Sequence, residues 1–119
     1  MAMTRDDFVA SLRAAGPEAT ATVNENLRDQ GGEVLLHLMV ADLRRLALRL
    51  FEQADSDNLG RLLTALNQGL IEGDPEVENA VAVSFVEDTG WWDQSMSAFI
   101  DSWPDGLRAE VERQREHRP

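Results

Sequence analysis

The chain has 119 residues, 43% of them hydrophobic and 28% charged, enough for one domain around a single core and too apolar for general disorder. It has no cysteine, which excludes disulfides, thiolate zinc sites and a cysteine nucleophile. Its net charge of −11 opposes non-specific attraction to nucleic acid or to an anionic membrane. All eleven basic residues are arginine, a composition typical of GC-rich bacterial genomes.

Near the N-terminus, MAMTRDDFVASL places acids where a signal peptide needs an unbroken apolar run, and no later stretch has the roughly 18 apolar residues of a membrane helix. A cytoplasmic protein is expected. Thr4 followed by Asp7 forms a capping box, and Phe8, Leu12 and Ala15 continue at helical spacing to Gly16, predicting a helix over 4–15. Pro17 opens a second helix that carries Val23 and Leu27 inward and stops at Gly31-Gly32. The strongest periodicity runs from Glu33 to Gln53, through Leu36, Met39, Val40, Leu43, Leu46, Ala47 and Leu50. A fourth helix, over 57–71, follows the stripe Leu59, Leu62, Leu63, Leu66 and Leu70.

AVAVSFV, within ENAVAVSFVEDTGWWD, alternates like a strand, yet its flanks argue otherwise. Asp74 suits an N-cap, Pro75 a first helical turn, and Glu76 and Glu78 the positive end of a helix dipole. A lone strand would also lack a partner. The segment is therefore expected to form a buried helix over 74–88, broken at Thr89-Gly90. Trp92, Met96, Phe99, Ile100 and Trp103 then predict a sixth helix over 92–102. Ser102 and Asp105 resemble a capping box for a seventh, with Leu107 and Val111 as its apolar residues and fraying expected beyond about residue 113. The expected fold is all-α: about seven short helices in antiparallel hairpins, bundle-like or resembling a short helical-repeat array, in a single domain over 1–119.

No phosphate-binding, zinc-protease, nucleophile-elbow or calcium-loop motif occurs, so neither a catalytic residue nor a cofactor nor a metal ligand is assigned. His37, with Glu33 a turn before it and Asp42 and Arg45 beyond, would need ligands from a second helix to hold a metal. Asp42, Arg45 and Arg49 read first as a solvated charge ladder and second as an anion site, since guanidinium groups fit planar oxyanions.

HLMVADLRRL, LGRLLTALNQGL and GDPEVENAVAVSFVED together resemble a family of small bacterial all-helical proteins of uncharacterised function, with a segment like GDxxVxNxIAVSFxE. The resemblance covers about residues 33–90 and implies the helical fold and a bacterial origin; it transfers no catalytic residue. Asn79, Ser84 and Glu87 are its polar positions, and His37, Asp42, Arg45 and Asn79 form a candidate structural network.

Charge is distributed unevenly. Residues 71–106 hold nine acids, no basic residue and all three tryptophans. Aromatic anchors in a charged surround are what protein interfaces favour, so Glu87, Asp88, Trp91, Asp93, Asp101 and Asp105 are candidate partner-binding residues. Trp92 and Trp103 share a stripe with Met96 and Phe99 and are expected in the core, whereas Trp91 is out of phase and expected at the surface. The primary functional expectation is a non-enzymatic module that binds a basic protein partner, as immunity proteins do, with homo-oligomerisation left open. A small-molecule or metal-binding domain centred on Glu33, His37, Asp42 and Arg45, and a self-associating structural protein, are the alternatives.

Overall fold

A computed structural model describes residues 2–117, and among these it contains seven α-helices and no strand. They are α1 (Arg5–Arg13), α2 (Pro17–Asp29), α3 (Leu36–Glu52), α4 (Ser56–Glu72), α5 (Pro75–Ala80), α6 (Ser97–Asp101) and α7 (Asp105–His117). The helix begun by α5 continues as a π-helical segment, Val81–Glu87, and a 3₁₀ turn, Gln94–Met96, precedes α6.

The first four helices follow the apolar periodicity. Thr4 accepts from the Asp7 amide while the Asp7 side chain accepts from the Thr4 amide, completing the capping box that starts α1. α2 ends in a Schellman arrangement, Gly31 N–H to Arg28 C=O and Gly32 N–H to Leu27 C=O, with Gly31 at φ +65° where glycine carries no Cβ penalty. α3 ends with the same pair of bonds, Ala54 N–H to Phe51 C=O and Asp55 N–H to Leu50 C=O. There the left-handed position is taken by Ala54 at φ +58°, an unfavourable conformation for a residue with a Cβ. Asp55 then caps α4 by accepting from the Asn58 amide.

α3 is central, lying against α2 on one side and the π segment on another, while α4 packs against α1, α3, α5 and α7. Every stripe residue predicted for α3 and α4 is buried. Phe8 of α1 lies fully buried over Gly69 of α4, and a Cβ on Gly69 would come within 2.4 Å of the Phe8 ring. Helix α1 reaches α4 this closely because position 69 has no side chain. A short parallel bridge joins the ends of this half, Met3 N–H to Glu72 C=O at 2.7 Å and Asp74 N–H to Met3 C=O at 2.9 Å.

Three expectations about the C-terminal half are corrected. Residues 91–96 form a turn and a 3₁₀ segment, so α6 begins at Ser97 instead of residue 92, and helical phase does not govern the tryptophan pair. Ser102 does not cap α7: its hydroxyl donates to the Phe99 carbonyl, and the first-turn amide of Leu107 donates to Asn67 Oδ1 of α4 at 3.0 Å. α7 also continues to His117, past the last apolar residue of its sequence pattern; the final two residues of the expected fraying lie outside the described residues. Trp103 closes the core, 2% exposed, with its ring 4.8 Å from Phe85 and 5.5 Å from Phe99.

Candidate functional site

Helix α5 begins as its flanks predict. Asp74 accepts from the Val77 amide at 3.0 Å and Pro75 occupies the first turn. From Val81 the helix widens to i→i+5 bonding, as in the bond from Asp88 N–H to Val83 C=O. The wider turn brings Val81, Ala82, Ser84, Phe85 and Val86 all into the interior and leaves Val83 partly exposed. The Thr89 hydroxyl donates to the Phe85 carbonyl at 2.7 Å, and Gly90 at φ +79° turns the chain out of the helix. Asp93 N–H closes that turn onto Gly90 C=O, presenting Trp91 and Trp92 side by side.

The two indoles meet edge to face, centroids 5.3 Å apart at 79°. Trp91 is half-buried and donates from Nε1 to Gln114 Oε1 at 2.7 Å. Gln114 in turn donates from Nε2 to the Ala82 carbonyl at 3.0 Å and to Glu110 Oε2 at 2.9 Å, so one side chain joins α7, the π segment and the tryptophan turn. Glu110, only 6% exposed, is held by a bidentate guanidinium from Arg113 with contacts of 2.7 to 2.9 Å. Arg115 lies 5.7 Å from the centre of the Trp91 ring. Trp92, braced on Trp91, is 61% exposed.

This corrects the expectation for Trp92. Trp92, expected in the core, lies exposed because residues 91–96 form a turn, and Trp91, expected at the surface, is half-buried beneath it. Beside the anchor, Asn79, Val83, Glu87, Gln114 and His117 line a groove of about 330 Å³. Asp88 is exposed at the end of the π segment. Asp93 is exposed and accepts from the Ser95 amide and hydroxyl at 2.9 and 2.8 Å, the amide bond foremost in holding its carboxyl below the usual carboxylate range. Asp101 and Asp105 line a second groove, of about 430 Å³, between α6 and α7, into which Arg108, Glu112 and Arg115 also project.

The candidate polar residues divide among four places. His37 Nδ1 lies 2.7 Å from the hydroxyl of Ser84, tying α3 to the π segment. Asp42 pairs with Arg45 at 2.7 Å and accepts from Asn26 of α2 at 2.8 Å. Asn79 sits in the groove beside Glu87, and Glu33 lies exposed in the loop before α3. Among the described residues no three His, Asp or Glu side chains gather in a way that could hold a metal ion.

Sequence reasoning missed Glu110, Arg113 and Gln114. A signal was present: Leu107, Glu110, Val111 and Gln114 recur at three and four residues, so the two polar side chains lie on the inward stripe of α7.

The chain belongs to the family of DUF7674, a domain of unknown function, which matches residues 9–118. No curated protein and no solved structure matches the chain. No helix among the described residues is long and apolar enough to cross a membrane.

Proposed function

We propose that this protein is a non-enzymatic binding module that captures a basic protein partner, in the manner of an immunity protein. The observation that carries the reading is Trp92: a large indole, 61% exposed, on a fixed platform, flanked by Glu87, Asp88 and Asp93. Exposing an indole forgoes the stabilisation that burial gives, and aromatic side chains held rigid before binding lose little conformational entropy when a partner covers them. Arg113 and Arg115 are engaged by Glu110 and Glu112 of their own helix, while Arg108 pairs with Asp105. Asp88 and Asp93, both exposed, steer a cationic partner.

The test is affinity capture with the tagged chain from its source organism, run in parallel with Trp92→Ala. One basic protein should be retained by the parent and lost from the variant, with an affinity decrease of about 2 kcal/mol or more. Its association rate should fall steeply with added salt. A partner that is acidic, or one held equally by Trp92→Ala, would refute the reading.

A further inference from the structure

Two hollows stand in a row between α7 and the helix that α5 and the π segment form together. The first, of about 310 Å³, takes its apolar surface from Leu70, Ile71 and Ala109, and Ile71 is 63% exposed. The second is the groove of about 330 Å³ beside the Trp91 anchor, where Ala82 and the partly exposed Val83 supply the apolar surface. Glu110 and Arg113 line both, so the hollows adjoin.

Their spacing is set by α7. The first hollow is lined by Gly106, Ala109, Glu110 and Arg113, the second by Glu110, Arg113, Gln114 and His117, and each residue of the second set stands four after one of the first. Such a step is close to one helical turn, so the hollows repeat at about 6 Å along α7. Side chains i and i+4 on one face of another α-helix have the same separation. An extended segment would come near that spacing at i and i+2, but the main chains on both sides are helical and have no open ladder to offer its amides and carbonyls. A helix satisfies its own.

Charge indicates which kind of helix. Residues 71–88, which form most of the wall beside α7, include six acids and no basic residue. Glu78 lies at the first hollow and Glu87 at the second. Arg113, between them, is held by the buried Glu110 in bidentate contact, and that pair adds no net charge.

We propose that the two hollows receive two apolar side chains, one turn apart, of a basic amphipathic helix presented by a protein partner. Basic residues beside the apolar pair face Glu78 and Glu87. Gln114, which lines the second hollow, also holds Trp91, so the docked helix abuts the tryptophan platform. The inference rests on the reading of this chain as a module that captures a basic protein, and it adds the element by which that protein is gripped.

The experiment is selection of a phage-displayed library of amphipathic helical peptides on the full chain, with the enriched peptides then measured against Ala109→Arg and Asn79→Arg. Both substitutions change exposed helical positions, one at each hollow, so both variants should fold with an unchanged circular dichroism spectrum. Enriched peptides should carry net positive charge and an apolar pair at i and i+4, and each variant should bind them about tenfold more weakly than the parent. The inference is overturned if the enriched peptides are acidic, if their apolar residues recur at i and i+2, or if both variants bind like the parent. It is also overturned if no peptide is enriched while capture from the source organism still requires Trp92, an outcome that leaves the reading of a basic partner standing.

Discussion

From Arg5 to Glu72 the chain runs through four regular helices whose inner stripes are almost wholly aliphatic, whereas from Pro75 to His117 it passes through a π segment, a 3₁₀ turn and short helices joined by side-chain hydrogen bonds. In the first half regular apolar stripes, leucine-rich in α3 and α4, set which face of each helix is buried, and Gly69 lets α1 and α4 close on Phe8. In the second, Thr89, Gln114 and, reaching across from α4, Asn67 each hydrogen-bond a backbone group with a side chain. Burial makes the first half insensitive to what surrounds it. The second half depends on a few directional contacts at the surface, and its exposed indole and grooves lie on the same elements.

Substitution can break this contrast in graded steps. Phe8→Ala removes a fully buried ring from the regular half and should cost about 3–5 kcal/mol in denaturant unfolding, the largest loss expected here. Gln114→Ala should cost less, about 1–3 kcal/mol, because it strands the Trp91 N–H and the Ala82 carbonyl without opening an apolar cavity. Its distinguishing mark would be a changed tryptophan emission in the native state; an unaltered spectrum would mean that Gln114 does not fix Trp91. Ala54→Gly runs the other way. It relieves the left-handed alanine at the end of α3 and should raise stability by about 1 kcal/mol, measurable as a higher melting temperature.

The smallest effect concerns Asp93. Its carboxyl is held below the usual range in the folded chain, so the contribution of its turn is present above the ordinary carboxylate value and is lost as pH falls through the lowered one. An NMR titration should place its midpoint below that of an unstructured aspartate, and Ser95→Ala should raise it only part of the way, because the foremost bond, from the Ser95 amide, remains.

The same division governs what could be read before folding. Thr4, Asp74 and the stripes of α3 and α4 are local signals, each contained within a few neighbouring residues, and each appears in the structure where the pattern puts it. The π segment is different, because a change in hydrogen-bond register leaves the same apolar residues in the same order. Trp92 is exposed and not in the core because residues 91–96 form a turn, where helical phase has no meaning. Ser102 lost its expected capping role to Asn67, 40 residues from the amide it serves, and no local rule contains such a contact. The hydrogen bond from Asn26 of α2 to Asp42 of α3 likewise joins residues 16 apart in sequence.

The π segment has a further consequence for chain length. A helix bonded i→i+5 holds an additional residue in a turn, so deleting one residue within Val81–Glu87 would let ordinary bonding resume. Because the wide turn already absorbs that residue, the chain after the deletion would keep its phase around the helix axis, and Trp91 would stay over Gln114. The change would be local: Val81, Ala82, Ser84, Phe85 and Val86 could no longer all face inward. A chain of this family one residue shorter at that point would keep the tryptophan platform and repack the core beside it.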